Sequence, residues 1–217
     1  MKLDPIRGKV LSVKIIPNIN SFMAKTFNLT PQQKSLGLIT TDMDDVAYTA
    51  LDEATKKADI QVVYAKSMYA GSANASTKLA GEFIGIIAGP NPAEIRSGLS
   101  AAIEFIENDA CFYSANDDDT VPFYAQTISR TGSYLSEIAN VPEGQPLAYL
   151  IAPPLEAMYA LDVALKAADV TLAAFYGPPT ETNFGGGLLT GSQSACQAAA
   201  DAFRDAVVFV ANSPKEY

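Results

Sequence analysis

One stretch of the sequence is written twice. Residues 50–62, ALDEATKKADIQV, return 110 positions later as residues 160–172, ALDVALKAADVTL, and seven of the thirteen aligned positions are identical. In each copy apolar residues follow the spacing of an amphipathic helix, which stops near Asp59 or Asp169 and runs into a short apolar strand. Because the repeat distance is half of the 217 residues, the pattern predicts one supersecondary unit used twice.

The segments around the repeat have the same order in both halves: strand, short helix, strand, helix, strand, loop, strand, helix. We place the division near residue 110, which gives domains 1–110 and 111–217, with the acidic and aromatic stretch 112–120 as connector. The predicted strands are 10–16, 35–40, 60–64, 82–88, 124–128, 147–151, 170–175 and 187–190. The predicted helices are 18–27, the helix ending near Asp59, 92–108, 133–139, 155–168 and 192–211.

Composition excludes several functions. The formal net charge of −9 argues against nucleic acid as a partner, because phosphate contacts need clustered Lys and Arg. No apolar run is long enough to span a membrane, and the first residues do not read as a signal peptide, so we expect a cytoplasmic protein. Cys111 and Cys196 have no metal-ligand spacing, which leaves a single disulfide open but predicts no disulfide framework.

The absence of histidine removes common catalytic designs. There can be no His general base, His metal ligand or Ser-His pair. Paired acids could still act as acid and base, but no nucleophile, cofactor fingerprint or metal cluster accompanies them. We therefore predict no enzyme activity, no catalytic residue, no metal site and no required cofactor.

Two features have both an ordinary and a functional interpretation. The acids of Asp42–Asp45 precede a helix, where capping alone would explain them. Lys56 and Lys166 lie near helix C-termini, where a solvated cation is favourable. The loops 65–77 and 176–187 are rich in small and turn-forming residues, and loops of this length are usually functional or mobile.

Several segments together carry a resemblance to a known family. They are SLGLIT (35–40), GPNPAE (89–94), SRTGSYL (129–135), APPLE (152–156) and LTGSQ (189–193). With the repeat, they make residues 9–212 resemble bacterial microcompartment shell proteins, in particular the L type of ethanolamine utilisation. The resemblance implies an α/β (α+β) fold of two tandem, circularly permuted shell domains, each a small, mostly antiparallel sheet flanked by helices.

The resemblance also implies an assembly. Three chains would form a pseudo-sixfold ring, a homotrimer, which tiles with other shell proteins into facets of a microcompartment shell in the cytoplasm. Lys56 and Lys166 would lie along the edges between rings. The two long loops would surround a gated central pore. Candidates for this gate are Met68, Tyr69, Asn74, Phe184, Gly185, Gly186 and Gly187.

A second implied feature is a small acidic pore in each subunit that binds or conducts ethanolamine. The matching positions are Asp44, Asp45, Glu82, Phe112, Thr182, Glu181 and Asn183. An ammonium group needs carboxylates or carbonyls, and an amino alcohol needs one more partner for its hydroxyl. We assign Asp45 and Glu82 to the ammonium, Thr182 to the hydroxyl and Phe112 to a backbone carbonyl contact. Occupancy of this pore would favour a closed central pore.

Two further interpretations remain open beside the enzyme. One is a trimeric small-molecule-binding or sensing protein of similar build that forms discrete rings and does not tile. The other is a shell protein whose central loops hold or pass a corrinoid, since ethanolamine pathways of this type use a corrinoid-dependent lyase.

Overall fold

The computed structural model describes residues 2–69 and 77–216, and the predicted order of elements occurs in it twice. The strands are β1 (Pro5–Ile6), β2 (Val10–Ile16), β3 (Ser35–Thr41), β4 (Gln61–Ser67), β5 (Phe83–Gly89), β6 (Phe112–Ser114), β7 (Pro122–Ile128), β8 (Leu147–Ala152), β9 (Val170–Tyr176) and β10 (Gly185–Gly191). The helices are α1 (Ser21–Thr26), α2 (Asp44–Thr55), α3 (Pro92–Glu104), α4 (Ser133–Ala139), α5 (Pro154–Ala167) and α6 (Gln193–Asn212).

The amino-terminal unit comprises the described residues of 7–110 together with residues 132–135. Its sheet has the order β2-β3-β5-β4, and every neighbouring pair is antiparallel. Successive strand residues point to opposite faces. Leu36 of β3 therefore packs with Phe27 and Leu29, around α1, while its neighbour Gly37 lies against Ile95 of α3. The sheet is thus covered on both faces.

The carboxyl-terminal unit comprises the described residues of 1–6, 111–131 and 136–217. Its six strands have the order β1-β6-β7-β8-β10-β9, again antiparallel throughout. Helices α5 and α6 build one core with the sheet, and many of the buried positions are alanine. Small side chains let the helices approach closely. The predicted mostly antiparallel sheets flanked by helices are confirmed.

Two predicted segments differ in detail. The stretch 112–120, predicted as a connector, contains strand β6, which pairs with β1 on one side and β7 on the other. Helix α3 ends at Glu104, and the chain continues as a π-helical segment, Phe105–Asp109, where the sequence predicted one helix to residue 108. Within the described ranges, no helix is both long and apolar enough to cross a membrane.

One aspartate that is present in both copies of the repeat has different surroundings in each. Asp52 of α2 is fully buried and accepts hydrogen bonds from the backbone N–H groups of Gly132 (2.7 Å) and Leu135 (2.8 Å) at the start of α4. Burial raises the pKa of the Asp52 carboxyl, and these hydrogen bonds partly offset it. The equivalent Asp162 of α5 is 62% exposed and pairs with Lys166 at 2.6 Å. One repeated residue therefore has two different roles.

Candidate functional site

Four acidic residues, Asp42, Asp44, Asp45 and Glu82, form what we call the acidic cluster. The first three lie between the end of β3 and the first turn of α2, and Glu82 directly precedes β5. Gly81 brings the two segments together. Its φ is +63°, and a Cβ there would lie 2.0 Å from the Thr41 carbonyl oxygen, so only glycine permits this approach. The Glu82 N–H then donates to that carbonyl at 2.9 Å.

Capping does not account for the acids. The N-cap residue of α2 is Met43, which makes no side-chain cap hydrogen bond. The Asp42 carboxylate accepts instead from the Lys9 N–H at 2.6 Å, and that of Asp44 accepts from the Asp45 N–H at 2.9 Å. The predicted cap is therefore wrong. Asp44 and Asp45 lie in the first turn, where the helix dipole favours negative charge.

The cluster concentrates negative charge in a poorly solvated place. Asp44 and Asp45 are each 6% exposed, and Glu82 is half-buried. Burial, and then the charges of Asp44 and Asp42, raise the pKa of Glu82 to about 7. No ion pair to Glu82 is found among the described residues. A carboxyl that resists ionisation beside other carboxylates is stabilised in its charged form by a bound cation.

Tyr48 borders the cluster and was not predicted as a site residue. It lies on α2 one turn after Asp44, and its hydroxyl is 3.0 Å from the Ser67 hydroxyl at the end of β4. Burial raises the pKa of Tyr48, and the charges of Asp44 and Asp45 add to this effect. Its ring packs edge-on against Phe83 at 4.8 Å. The i, i+4 spacing from Asp44 was a signal in the sequence that could have identified it.

The other predicted ethanolamine residues belong to the carboxyl-terminal unit. Phe112 of β6 is buried, with its ring stacked on Tyr124 at 5.3 Å. Glu181, Thr182 and Asn183 lie in the turn between β9 and β10; Thr182 is half-buried, and the other two are exposed. Thr180, which was not predicted, organises this turn: its N–H donates to the Phe184 carbonyl at 2.8 Å, and its carbonyl accepts from the Asn183 N–H at 3.0 Å.

The residues predicted for the central gate are placed differently from one another. Met68 and Tyr69 follow β4, and the Met68 N–H donates to the Glu82 carbonyl at 2.7 Å. Asn74 lies outside the described residues. The predicted loop 176–187 is too long, because Gly185, Gly186 and Gly187 are buried residues of β10.

Two of the three glycines allow the backbone of neighbouring strands to approach closely. Gly186 has a φ of +148°, and a Cβ there would lie 1.9 Å from the Leu150 carbonyl oxygen. A Cβ at Gly187 would lie 2.5 Å from the Ala174 carbonyl oxygen. Both positions therefore need glycine for backbone approach within the sheet.

The two predicted edge lysines differ in surroundings. The Lys56 side chain is 17% exposed and forms ion pairs with Glu53 and, at 3.6 Å, with Asp52. The Lys166 side chain is 73% exposed and pairs with Asp162. Lys166 is therefore the freer of the two to reach another molecule.

The acidic cluster presents carboxylate acceptors, and two hydroxyl groups lie near it. Among the described residues, no group of three or more His, Cys, Asp or Glu side chains is placed to hold a metal ion. Carboxylates accept the hydrogen bonds that an ammonium group donates, and such charge-assisted bonds are strong. The neighbouring Tyr48 and Ser67 hydroxyls can donate or accept, as an alcohol requires.

Comparison with known proteins agrees with this architecture. A family model described as "BMC domain" matches residues 35–116, which begins at β3 and leaves out β2 and α1. The bacterial microcompartment shell protein EutL of Clostridium perfringens is 67% identical over 214 residues, covering 99% of both chains. EutL of Escherichia coli is 52% identical over 212 residues, covering 98% of this chain and 97% of that one. The crystal structure of ethanolamine utilization protein EutL from Leptotrichia buccalis superposes with a TM-score of 0.98, at 66% identity and full coverage of both chains.

Proposed function

The chain belongs to the EutL-type bacterial microcompartment shell proteins, and from this premise we propose that it binds ethanolamine while serving as a structural component of a shell. Its role is non-catalytic and requires no cofactor. Three chains form a ring, and rings tile with other shell proteins into a facet of an ethanolamine-utilisation microcompartment. The relative from Leptotrichia buccalis carries ethanolamine utilization in its name, which supplies the substrate class.

One observation carries the ligand assignment: Glu82, held at the end of β3 by its hydrogen bond to Thr41, is half-buried near Asp44 and Asp45, which are each 6% exposed. Burial, with the charges of Asp44 and Asp42, raises its pKa to about 7. A carboxyl with this pKa is only about half ionised near neutral pH, and a cation bound beside it completes the ionisation. Ethanolamine, with its ammonium group, is such a cation. We assign Asp45 and Glu82 to the ammonium group.

The hydroxyl of ethanolamine needs a separate partner. We retain Thr182 for this role and the Phe112 backbone for a carbonyl contact. Thr182 is half-buried, and its hydroxyl lies 3.4 Å from that of Thr180. Occupancy of the site favours a closed central pore, which requires that ethanolamine bind the closed state more tightly than the open one.

Calorimetric titration with ethanolamine tests the binding site. Asp45→Asn and Glu82→Gln should each weaken binding at least about tenfold, since each removes a charge-assisted hydrogen bond. Asp162→Asn is the matched control, because it neutralises an aspartate that is 62% exposed on another helix. Unchanged affinity in both cluster variants would refute the assignment.

Two analogues of ethanolamine test its ammonium group and its hydroxyl group separately. Ethylamine keeps the ammonium group and lacks the hydroxyl, whereas ethylene glycol keeps a hydroxyl and lacks the charge. We expect ethylene glycol not to bind detectably and ethylamine to bind more weakly than ethanolamine. Thr182→Val should reduce affinity for ethanolamine and leave that for ethylamine unchanged, because only the former has a hydroxyl to lose.

A further inference from the structure

A small cavity lies at one end of the sheet of the amino-terminal unit, beside the turn that follows α1. Its volume is about 220 Å³, below the roughly 300–1,000 Å³ of pockets that take drug-sized ligands, so it fits a molecule of only a few heavy atoms. The floor is apolar and buried, and consists of Ile60, Ala88 and Gly89. The rim is polar and includes Gln33, Asp59 and Gln61. An apolar floor with a few polar groups at its rim is the usual composition of a small-molecule site.

Hydrogen bonds hold the polar groups of the rim in place. The Gln33 carboxamide accepts from the Thr30 N–H at 2.9 Å and donates to the Gln61 side-chain oxygen at 2.9 Å. The Asp59 N–H donates to the Glu94 carboxylate at 2.8 Å, which fixes the turn between α2 and β4. Within residues 2–69 and 77–216, neither the Asp59 carboxylate nor the Gln61 side-chain NH₂ group has a hydrogen-bond partner for its free positions. The rim therefore offers a ligand one charged acceptor and one donor.

The second copy of the repeat has a carboxamide at the corresponding place. Gln33 and Gln145 each end a turn in which their N–H donates to the carbonyl three residues earlier, at 3.0 and 3.1 Å. Gly89 and Gly191 also correspond, because a Cβ at either would lie close to the carbonyl oxygen of the aspartate before β4 or β9, at 3.0 and 2.7 Å. The Gln145 side chain donates to the Gly191 carbonyl at 3.1 Å, whereas the Gly89 carbonyl accepts from the Lys34 N–H at 3.0 Å. The second copy thus shows that a carboxamide group fits beside this glycine.

We infer that the cavity binds a small primary carboxamide, in the place that the Gln145 side chain takes in the second copy. The carbonyl of the ligand accepts from the Gln61 side-chain NH₂ group, and the NH₂ group of the ligand donates to the Asp59 carboxylate. The bond to the carboxylate is charge-assisted and is the stronger of the two. The alkyl part of the ligand packs on the apolar floor.

The charges around the cavity distinguish a carboxamide from the related acid and amine. Among the described residues, no lysine or arginine lines the cavity, so a carboxylate ligand would meet Asp59 without a cation to balance the two negative charges. A protonated amine could pair with Asp59, but it has no acceptor for the Gln61 NH₂ group. A neutral amide satisfies both residues.

The cavity is separate from the acidic cluster. Glu82 directly precedes β5 and Gly89 ends it, which places the two residues roughly 20 Å apart along an extended strand. The two sites can therefore be occupied independently. The outcome of a test on the cavity does not depend on whether ethanolamine binds the acidic cluster.

Saturation-transfer difference NMR on the wild-type protein tests this inference with three probes of the same size. Propionamide has both the carbonyl and the NH₂ group, butanone keeps the carbonyl and lacks the N–H donors, and propionate lacks the donors and is negatively charged. We expect propionamide to bind and the other two to bind at least about tenfold more weakly, because neither can donate to the Asp59 carboxylate.

Substitutions at the rim identify the two partners. Asp59→Ala should weaken propionamide binding at least about tenfold, and Gln61→Ala at least about threefold, since the first removes a charged acceptor and the second a neutral donor. Asp169→Ala and Thr171→Ala are the matched controls, 110 positions later in the repeat, and should leave binding unchanged. All four side chains are exposed, so the circular dichroism spectra of the variants should match that of the wild type.

A crystal of the wild-type protein soaked in propionamide locates the ligand. Density is expected beside Asp59 and Gln61, and none beside Gly191, where Gln145 already donates. Absence of binding to the wild type, equal binding of propionamide and butanone, or density only elsewhere on the chain would overturn the inference. Unchanged affinity in both rim variants would overturn it as well.

Discussion

The raised pKa of Glu82 makes the stability of the folded chain depend on pH. Burial is the main cause of its raised pKa, with Asp44 and then Asp42 contributing, so the folded chain holds a proton up to about pH 7 that the unfolded chain releases near 4.5. Its contribution to stability is fully present below the unfolded value and is lost as the pH rises through about 7. A bound cation acts in the opposite direction, because it lowers the pKa of Glu82.

This linkage predicts that ethanolamine binding releases protons. Below about pH 7 a proton must leave Glu82 before the ammonium group can pair with it, so affinity should fall by up to about tenfold for each unit of pH. Titration calorimetry from about pH 6 to about pH 8, in two buffers of different ionisation enthalpy, measures both the affinity and the protons released.

Glu82→Gln is the control for this prediction. It should bind more weakly, and its affinity should change little over the same pH range, because the titrating group is gone. An unchanged pH dependence in this variant would assign the proton to another group and refute the role of Glu82.

At the scale of the elements, the fold depends on which partner each helix meets. Helices α2 and α5 come from the same repeated sequence, and each carries an aspartate followed four residues later by a lysine. On α2 the aspartate is enclosed by the start of α4, and on α5 it faces solvent in the single chain. The aspartate and the lysine are the same in both helices, and the tertiary surroundings decide whether the carboxylate is structural.

Asp52→Ala should therefore destabilise the protein strongly. It leaves the Gly132 and Leu135 N–H groups buried without their acceptor, and the free energy of unfolding should fall by about 2–4 kcal/mol. Asp162→Ala is the matched variant and should cost less than about 1 kcal/mol, because it removes a surface ion pair. Urea denaturation followed by circular dichroism measures both, and similar losses would contradict the distinction.

For the whole molecule, the duplication makes the two lobes of each chain unequal. Lys56 is held in ion pairs along α2 and is largely covered, whereas Lys166 extends from the end of α5. If both lie at the edges between rings, they cannot contribute equally. The two copies also differ at the acidic cluster, since Asp45 of the first copy corresponds to Leu155 of the second.

The two lysines should contribute unequally to the tiling of rings into sheets. We expect Lys166→Ala to reduce the extended hexagonal sheets seen by electron microscopy of concentrated protein more than Lys56→Ala does, because the Lys166 side chain is the freer one to reach a neighbouring ring. Lys25→Ala, on a short exposed helix, is the control. Isolated particles under all conditions, with both variants behaving as the wild type, would favour a protein that binds small molecules without tiling.

Much of the fold could be predicted from the sequence because its signals are local. The helix-to-strand repeat, the apolar strands and the Asn91-Pro92 start of α3 depend on neighbours within a few residues. The features that were predicted incorrectly depend on residues that are distant in the sequence. Asp42 is engaged by Lys9, and Gly186 is fitted against the Leu150 carbonyl, so neither role could be read from the surrounding sequence.

The site was predictable in part for the same reason. Asp44, Asp45 and Glu82 were predicted from the resemblance to a family, and Asp42 was not. The structure adds the contact that brings Glu82 to the end of β3, through Gly81 and Thr41. Tyr48 and Thr180 were missed. The i, i+4 spacing from Asp44 could have indicated Tyr48, whereas only the tertiary structure shows that the Thr180 hydroxyl lies near that of Thr182.

The different surroundings of Asp52 and Asp162 also affect how the chain can evolve. In a ring built from six identical single-domain subunits, a mutation at this position alters all six sites together, so a residue needed for folding cannot be given up anywhere. In the proposed ring of three fused chains, Asp52 and Asp162 are separate positions of one chain, so each can mutate without the other. Selection can keep the buried one and vary the exposed one, which is a freedom that a ring of six identical subunits lacks.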